Sequence, residues 1–133
     1  MYKYLFVLFL FISCSSSEEF GLGYYSTTPI SEAEIVSDMV VNETYTIKIS
    51  YIKNTTCMIF DKVVTESRGN EHIITVQNYI NESQACQATN ELMEVGYDFK
   101  PTTTGTHTLK FWKGKNANLE DQFIEININV YDN

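Results

Sequence analysis

Tyr45-Thr46-Ile47-Lys48-Ile49-Ser50-Tyr51 places an aromatic or aliphatic side chain at every second position, with Thr, Lys and Ser between them. A period of two marks a strand with one dry and one wet face, because successive side chains leave a strand on opposite sides. The rhythm recurs downstream. Ile124, Ile126, Ile128 and Val130 alternate with Glu125, Asn127 and Asn129, and Val95, Tyr97 and Phe99 alternate with Gly96, Asp98 and Lys100. A run over 106–113 carries Leu109 and Phe111 on its inward side. Two more apolar runs, 57–66 and 72–80, flank Ser67-Arg68-Gly69-Asn70, whose Gly and Asn accept the positive φ of a hairpin turn.

The punctuation between these runs is equally direct. Pro101 ends the strand before it, since it has no N–H for a ladder. Residues 81–91 are rich in Asn, Gln and Ser and read as a loop, and Lys113-Gly114-Lys115-Asn116 begins a turn region. Upstream, Ser31-Glu32-Ala33-Glu34 fits a helix capping box, and Ile35, Val36, Met39 and Val40 have near-helical spacing. The β-branched neighbours and the strand character of everything after them favour strand over helix for 31–40. About seven short strands in about 100 residues give an all-β expectation: an antiparallel β-sandwich.

Composition sets outer limits. The 133 residues allow one core, and 44% apolar content is too high for a disordered tail. The formal charge of −8 argues against nucleic acid, which needs a basic face.

The first residues read as an address. Lys3 precedes an unbroken apolar run from Tyr4 to Ile12, far short of the ~20 residues needed to span a bilayer. Leu10-Phe11-Ile12-Ser13-Cys14 then resembles the lipobox of bacterial lipoproteins, with a bulky Phe11 where Leu is usual. The resemblance implies a signal peptide over residues 1–13, lipidation of Cys14 and a membrane held through that lipid. Ser17-Glu18-Glu19-Phe20 is similar to the acidic tag that sends some Bacteroidota lipoproteins to the cell surface. The expected location is therefore the bacterial outer membrane. Residues 14–28 are expected to be a flexible tether, leaving 29–133 as the folded domain. With Lys3 removed, 8 basic and 17 acidic residues give the mature chain a net −9.

Assigning Cys14 to lipid leaves Cys57 and Cys86, an even pair in an exported and oxidising setting. A disulfide between them closes a loop worth about 3–4 kcal/mol in the chain-entropy model. Neither histidine, His72 or His107, is spaced from a cysteine as a metal ligand set would be.

A second resemblance lies in the strands. Glu43-Thr44-Tyr45-Thr46-Ile47-Lys48-Ile49 looks like the B strand of an immunoglobulin-like domain, and Gly105-Thr106-His107-Thr108-Leu109 looks like its F-strand corner. The resemblance places Ile49 and Leu109 in the two half-cystine slots, so an aliphatic contact replaces the inter-sheet disulfide. His107 stands where the family has its corner tyrosine, and Phe60 is the best match for the core aromatic. Phe99-x-Pro101-x-x-x-Gly105 leading into Leu109-Lys110-Phe111-Trp112 is also similar to small Bacteroidota lipoproteins with immunoglobulin-like domains. That likeness carries no activity with it.

Catalytic patterns are sparse. No G-x-S-x-G elbow or phosphate-cradling glycine run occurs, and Glu120-Asp121 is too little for a calcium loop. His107 is expected to make a corner hydrogen bond, and His72 to be a solvated neighbour of the turn. Three Asn-x-Ser/Thr triplets, at Asn42, Asn54 and Asn81, read as polar turns. What remains is aromatic: Trp112 points opposite to Leu109 and Phe111, and Phe123 and Tyr131 opposite to Ile124 and Val130. If their strands pair, Trp112 shares an outer face with one of those aromatics, suited to a carbohydrate or an envelope protein. The expectation is a lipid-anchored binding or accessory module without cofactor or metal, rather than an enzyme. The rivals are an envelope inhibitor or immunity-like protein that captures a hydrolase, and a hydrolytic or metal-dependent enzyme.

Overall fold

The computed structural model describes residues 23–133, so the expected signal peptide, Cys14 and the first part of the expected tether lie outside the described residues. The described residues are all-β. They form nine strands, β1 (Gly23–Thr28), β2 (Ile30–Glu34), β3 (Asp38–Val40), β4 (Tyr45–Thr55), β5 (Met58–Arg68), β6 (Glu71–Asn81), β7 (Ala88–Phe99), β8 (Gly105–Lys115) and β9 (Asp121–Tyr131). Two sheets face each other. One is β2-β4-β7; the other contains β1, β3, β5, β6, β8 and β9.

The alternation seen in sequence is what packs. Ile47, Ile49 and Tyr51 of β4 meet Ile74 and Val76 of β6, Leu109 and Phe111 of β8, and Ile128 and Val130 of β9 in one core. Ile49 and Leu109, the residues in the half-cystine slots, are both fully buried. Phe60 does not become the core aromatic. It lies on the edge strand β5, 40% exposed, beside a bulge at Asp61 where the register with β6 shifts. Tyr51 and Phe111, on central strands, are the large aromatics at the centre.

The sheet layout follows an immunoglobulin-like plan with one rearrangement. β2-β4-β7 corresponds to the A-B-E sheet, and β8 and β9 to the F–G pair, with β3 added in parallel along β9. The β5–β6 hairpin differs. Its second arm, not its first, lies beside β8, and the two run parallel over Glu71–Ile74. Two parallel pairings thus interrupt the expected antiparallel arrangement.

Parallel contact with β8 covers only the first half of β6, which leaves a row of backbone groups open over residues 76–81. β1 fills it, antiparallel from Gly23↔Asn81 to Thr28↔Val76. The expected tether is corrected here: six of its residues, Gly23–Thr28, are a strand, and the domain begins before residue 29. Pro29 then carries the chain from one sheet to the other, where β2 pairs with β4. The 31–40 segment is strand, as expected, but broken into β2 and β3.

Two turns also move. β7 starts at Ala88 because β4 extends to Thr55 and its ladder holds the polar 88–91 stretch, so only 82–87 is loop. β8 continues to Lys115; Gly114, at φ 109°, sits in a bulge rather than a turn, with Pro29 packed beside it. The 67–70 hairpin forms as expected, with Gly69 at φ 58°. Cys57 and Cys86 are joined in a disulfide, Cα–Cα 5.4 Å.

Candidate functional site

β8 and β9 bring Trp112 directly opposite Phe123. Both side chains leave the sheet away from the core, next to Ile73 and Thr75 of β6 and Glu66 of β5, and together line a groove of about 470 Å³. Period-two alternation puts Trp112, Phe123 and Tyr131 all on outward positions and leaves Trp112's neighbour open between the two β9 aromatics; the β8–β9 register sets Phe123 opposite it.

The polar margin of the groove holds the indole in place. Trp112 Nε1 donates to Asp121 Oδ1 at 3.0 Å, and Lys115 Nζ lies 2.9 Å from the same oxygen. The Lys115 ammonium, and after it the indole N–H, hold the Asp121 carboxyl below the usual carboxylate range. Beyond them the 116–120 loop is tied on itself. Asn116 Oδ1 accepts from the backbone N–H of Asn118 (2.9 Å) and Glu120 (3.0 Å), while Leu119 takes φ 61° and projects into solvent. On the other side, Lys110 Nζ stands 5.8 Å from the Phe123 ring centroid and pairs with Glu71 and Glu125.

Tyr131 does not join this groove. It is exposed at the far end of β9, opposite Val40, eight residues and roughly 27 Å of strand from Phe123.

A second constellation was missed. His72, expected in solvent, is 7% exposed, because it lies two residues before Ile74 on β6 and so shares its inward face. Its Nε2 lies 2.8 Å from Nδ1 of the buried His107, with the two rings parallel to within 3°. His107 Nε2 lies 2.7 Å from the Thr103 carbonyl oxygen, a corner bond to the backbone four residues upstream, as expected. At the other end, Ser67 Oγ lies 2.7 Å from His72 Nδ1. A carbonyl only accepts, so His107 carries its proton on Nε2 and presents a bare Nδ1. His72 therefore donates from Nε2, and its bare Nδ1 accepts from the Ser67 hydroxyl. Burial, and then the facing His107, push the His72 pKa down, which keeps the ring neutral. Phe99 stacks edge-on to His72 at 4.9 Å.

Among the described residues, no three His, Cys, Asp or Glu gather as a metal ligand set. No family model, curated protein or solved structure matches the chain.

Proposed function

We propose that the chain is a lipid-anchored protein of the bacterial envelope, acting as a binding or accessory module through the Trp112–Phe123 groove. The observation that carries this reading is the cross-strand pair itself: two aromatics side by side, outside the core, with the indole N–H already engaged by Asp121. An aromatic floor with its polar groups at the rim suits the apolar face of a sugar ring, and Glu66, Thr75 and Asp121 supply hydrogen-bonding partners for hydroxyls. Anchoring rests on Leu10–Cys14 and on the acidic stretch after it. The Cys57–Cys86 bond is consistent with an oxidising compartment.

Trp112 is the only tryptophan, so fluorescence excited selectively at tryptophan, beyond the absorption of the nine tyrosines, reports on this groove alone. Titration with soluble oligosaccharides and peptidoglycan fragments should shift its emission, and Trp112→Ala should abolish the binding seen by calorimetry. Binding that leaves the emission unmoved would place the ligand elsewhere. Cys14→Ala should stop fatty-acid labelling and release the protein from membranes; labelling that persists would refute the anchor.

The self-tied 116–120 loop, with Leu119 77% exposed at its tip, favours one second reading, an inhibitor that captures an envelope hydrolase. Leu119→Asp would weaken such a complex and leave sugar binding intact.

A further inference from the structure

The Ser67–His72–His107 chain lies on a different cleft from the aromatic groove. Beside Ser67, His72 and His107, that cleft is lined by Tyr97, Phe99 and Lys100, and it encloses about 330 Å³. Ser67 is exposed at the end of β5 and faces His72 as its cross-strand partner. Every proton position in the chain follows from the Thr103 carbonyl, so the serine hydroxyl points its hydrogen at a neutral, half-sequestered imidazole. That imidazole is in turn held by a second group through its other nitrogen. A nucleophile, a base and a group that orients the base, each within hydrogen-bond reach of the next, are the elements of an activated hydroxyl.

We propose that Ser67 is a nucleophile toward small carboxylic esters, with His72 as its general base and His107 positioning that base. Ser67 Oγ attacks the ester carbonyl carbon and forms a C–O bond while its proton passes to His72 Nδ1. The tetrahedral intermediate collapses by breaking the bond to the alcohol, which leaves with the proton from His72. Water then attacks the acyl-serine, again giving its proton to His72, and the acid is released as Ser67 recovers its hydrogen. Lys100 is the cation on this cleft, and it stabilises the negative oxygen of the intermediate.

The test uses the full chain and p-nitrophenyl acetate. Wild type should release nitrophenol with a burst, and acid quenching followed by peptide mass spectrometry should find the acetyl group on Ser67. Ser67→Ala should remove the adduct and lower kcat/KM by at least about 100-fold. The rate should rise with pH through an inflection below the ordinary histidine value. His107→Gln should lower kcat more than it changes KM and move the inflection upward, since the second imidazole no longer faces His72. Hydrolysis by Ser67→Ala equal to wild type, an acetyl group on another residue, or no adduct at all would overturn the proposal. Mapping the adduct on wild type needs no variant to fold.

Discussion

Asn78 donates its Nδ2–H to Thr28 Oγ1 at 2.7 Å, and both residues are buried. The bond joins β1 to the strand it completes, and it is a precarious one: Asn78 Oδ1 has no partner among the described residues. An amide already half satisfied in a low-dielectric setting loses everything if its remaining partner goes. Thr28→Val keeps the shape and removes the acceptor. It should lower unfolding stability by about 1–3 kcal/mol, read as a fall in the urea midpoint with little change in m-value. A variant as stable as wild type would show that Asn78 finds another partner once Thr28 Oγ1 is gone.

The Cys57–Cys86 bond ties the start of β5 to the loop before β7, so it links strands of opposite sheets across the turn end of the sandwich. With its ends 29 positions apart in sequence, the chain-entropy model assigns it about 3–4 kcal/mol. Cys57→Ala/Cys86→Ala should lose stability of that order in denaturant titrations, as should the reduced wild type. Because Cys57 is buried and Cys86 exposed, reduction should be attacked from the Cys86 side.

What was legible in the sequence was set by side-chain alternation. Ile47, Ile49, Leu109 and Ile128 sit inside because a half-buried strand admits no other phase. That Trp112 and Phe123 both face outward follows from the same parity, but the choice of Phe123 over Tyr131 as its neighbour is set by the β8–β9 register. What escaped depends on backbone pairing, which leaves no mark on side-chain pattern. Gly23–Thr28 reads as a polar leash, yet it is a strand because β6 offers it an open row of N–H and C=O groups. Ala88–Glu91 reads as loop and is ladder for the same reason. His72 was the sharpest miss. Its position in phase with Ile74 and Val76 carried the signal, but a polar residue beside a turn looks solvated until a buried partner such as His107 is seen.

The indole N–H of Trp112 is held by Asp121, and Lys115 pairs with the same carboxylate and holds it below the usual carboxylate range. Asp121→Asn retains a hydrogen-bond acceptor but removes the ion pair; Asp121→Ala removes both. The Asn variant should keep the emission maximum of Trp112 near that of wild type, and the Ala variant should shift it and lower its anisotropy. Global stability should change little in either, because the pair lies at an exposed hairpin end. If the Ala variant emits like wild type, packing against Phe123 and Ile73, not Asp121, holds the ring.

His72 also links stability to pH. Its folded pKa lies below the ordinary histidine value, through burial first and the facing His107 second. Below the unfolded value near 6.5 the unfolded chain takes up a proton that the folded chain refuses. The contribution of a neutral His72 is therefore fully present above about pH 7, and it drains away as pH falls toward the folded pKa. Proton uptake by His72 also reverses the bond to Ser67, since Nδ1 then becomes a donor. Urea midpoints measured from pH 7.5 down to 5.5 should fall steadily for wild type. His72→Gln should start lower and show a flatter dependence over the same interval. Equal slopes for the two proteins would mean that the pH dependence arises elsewhere.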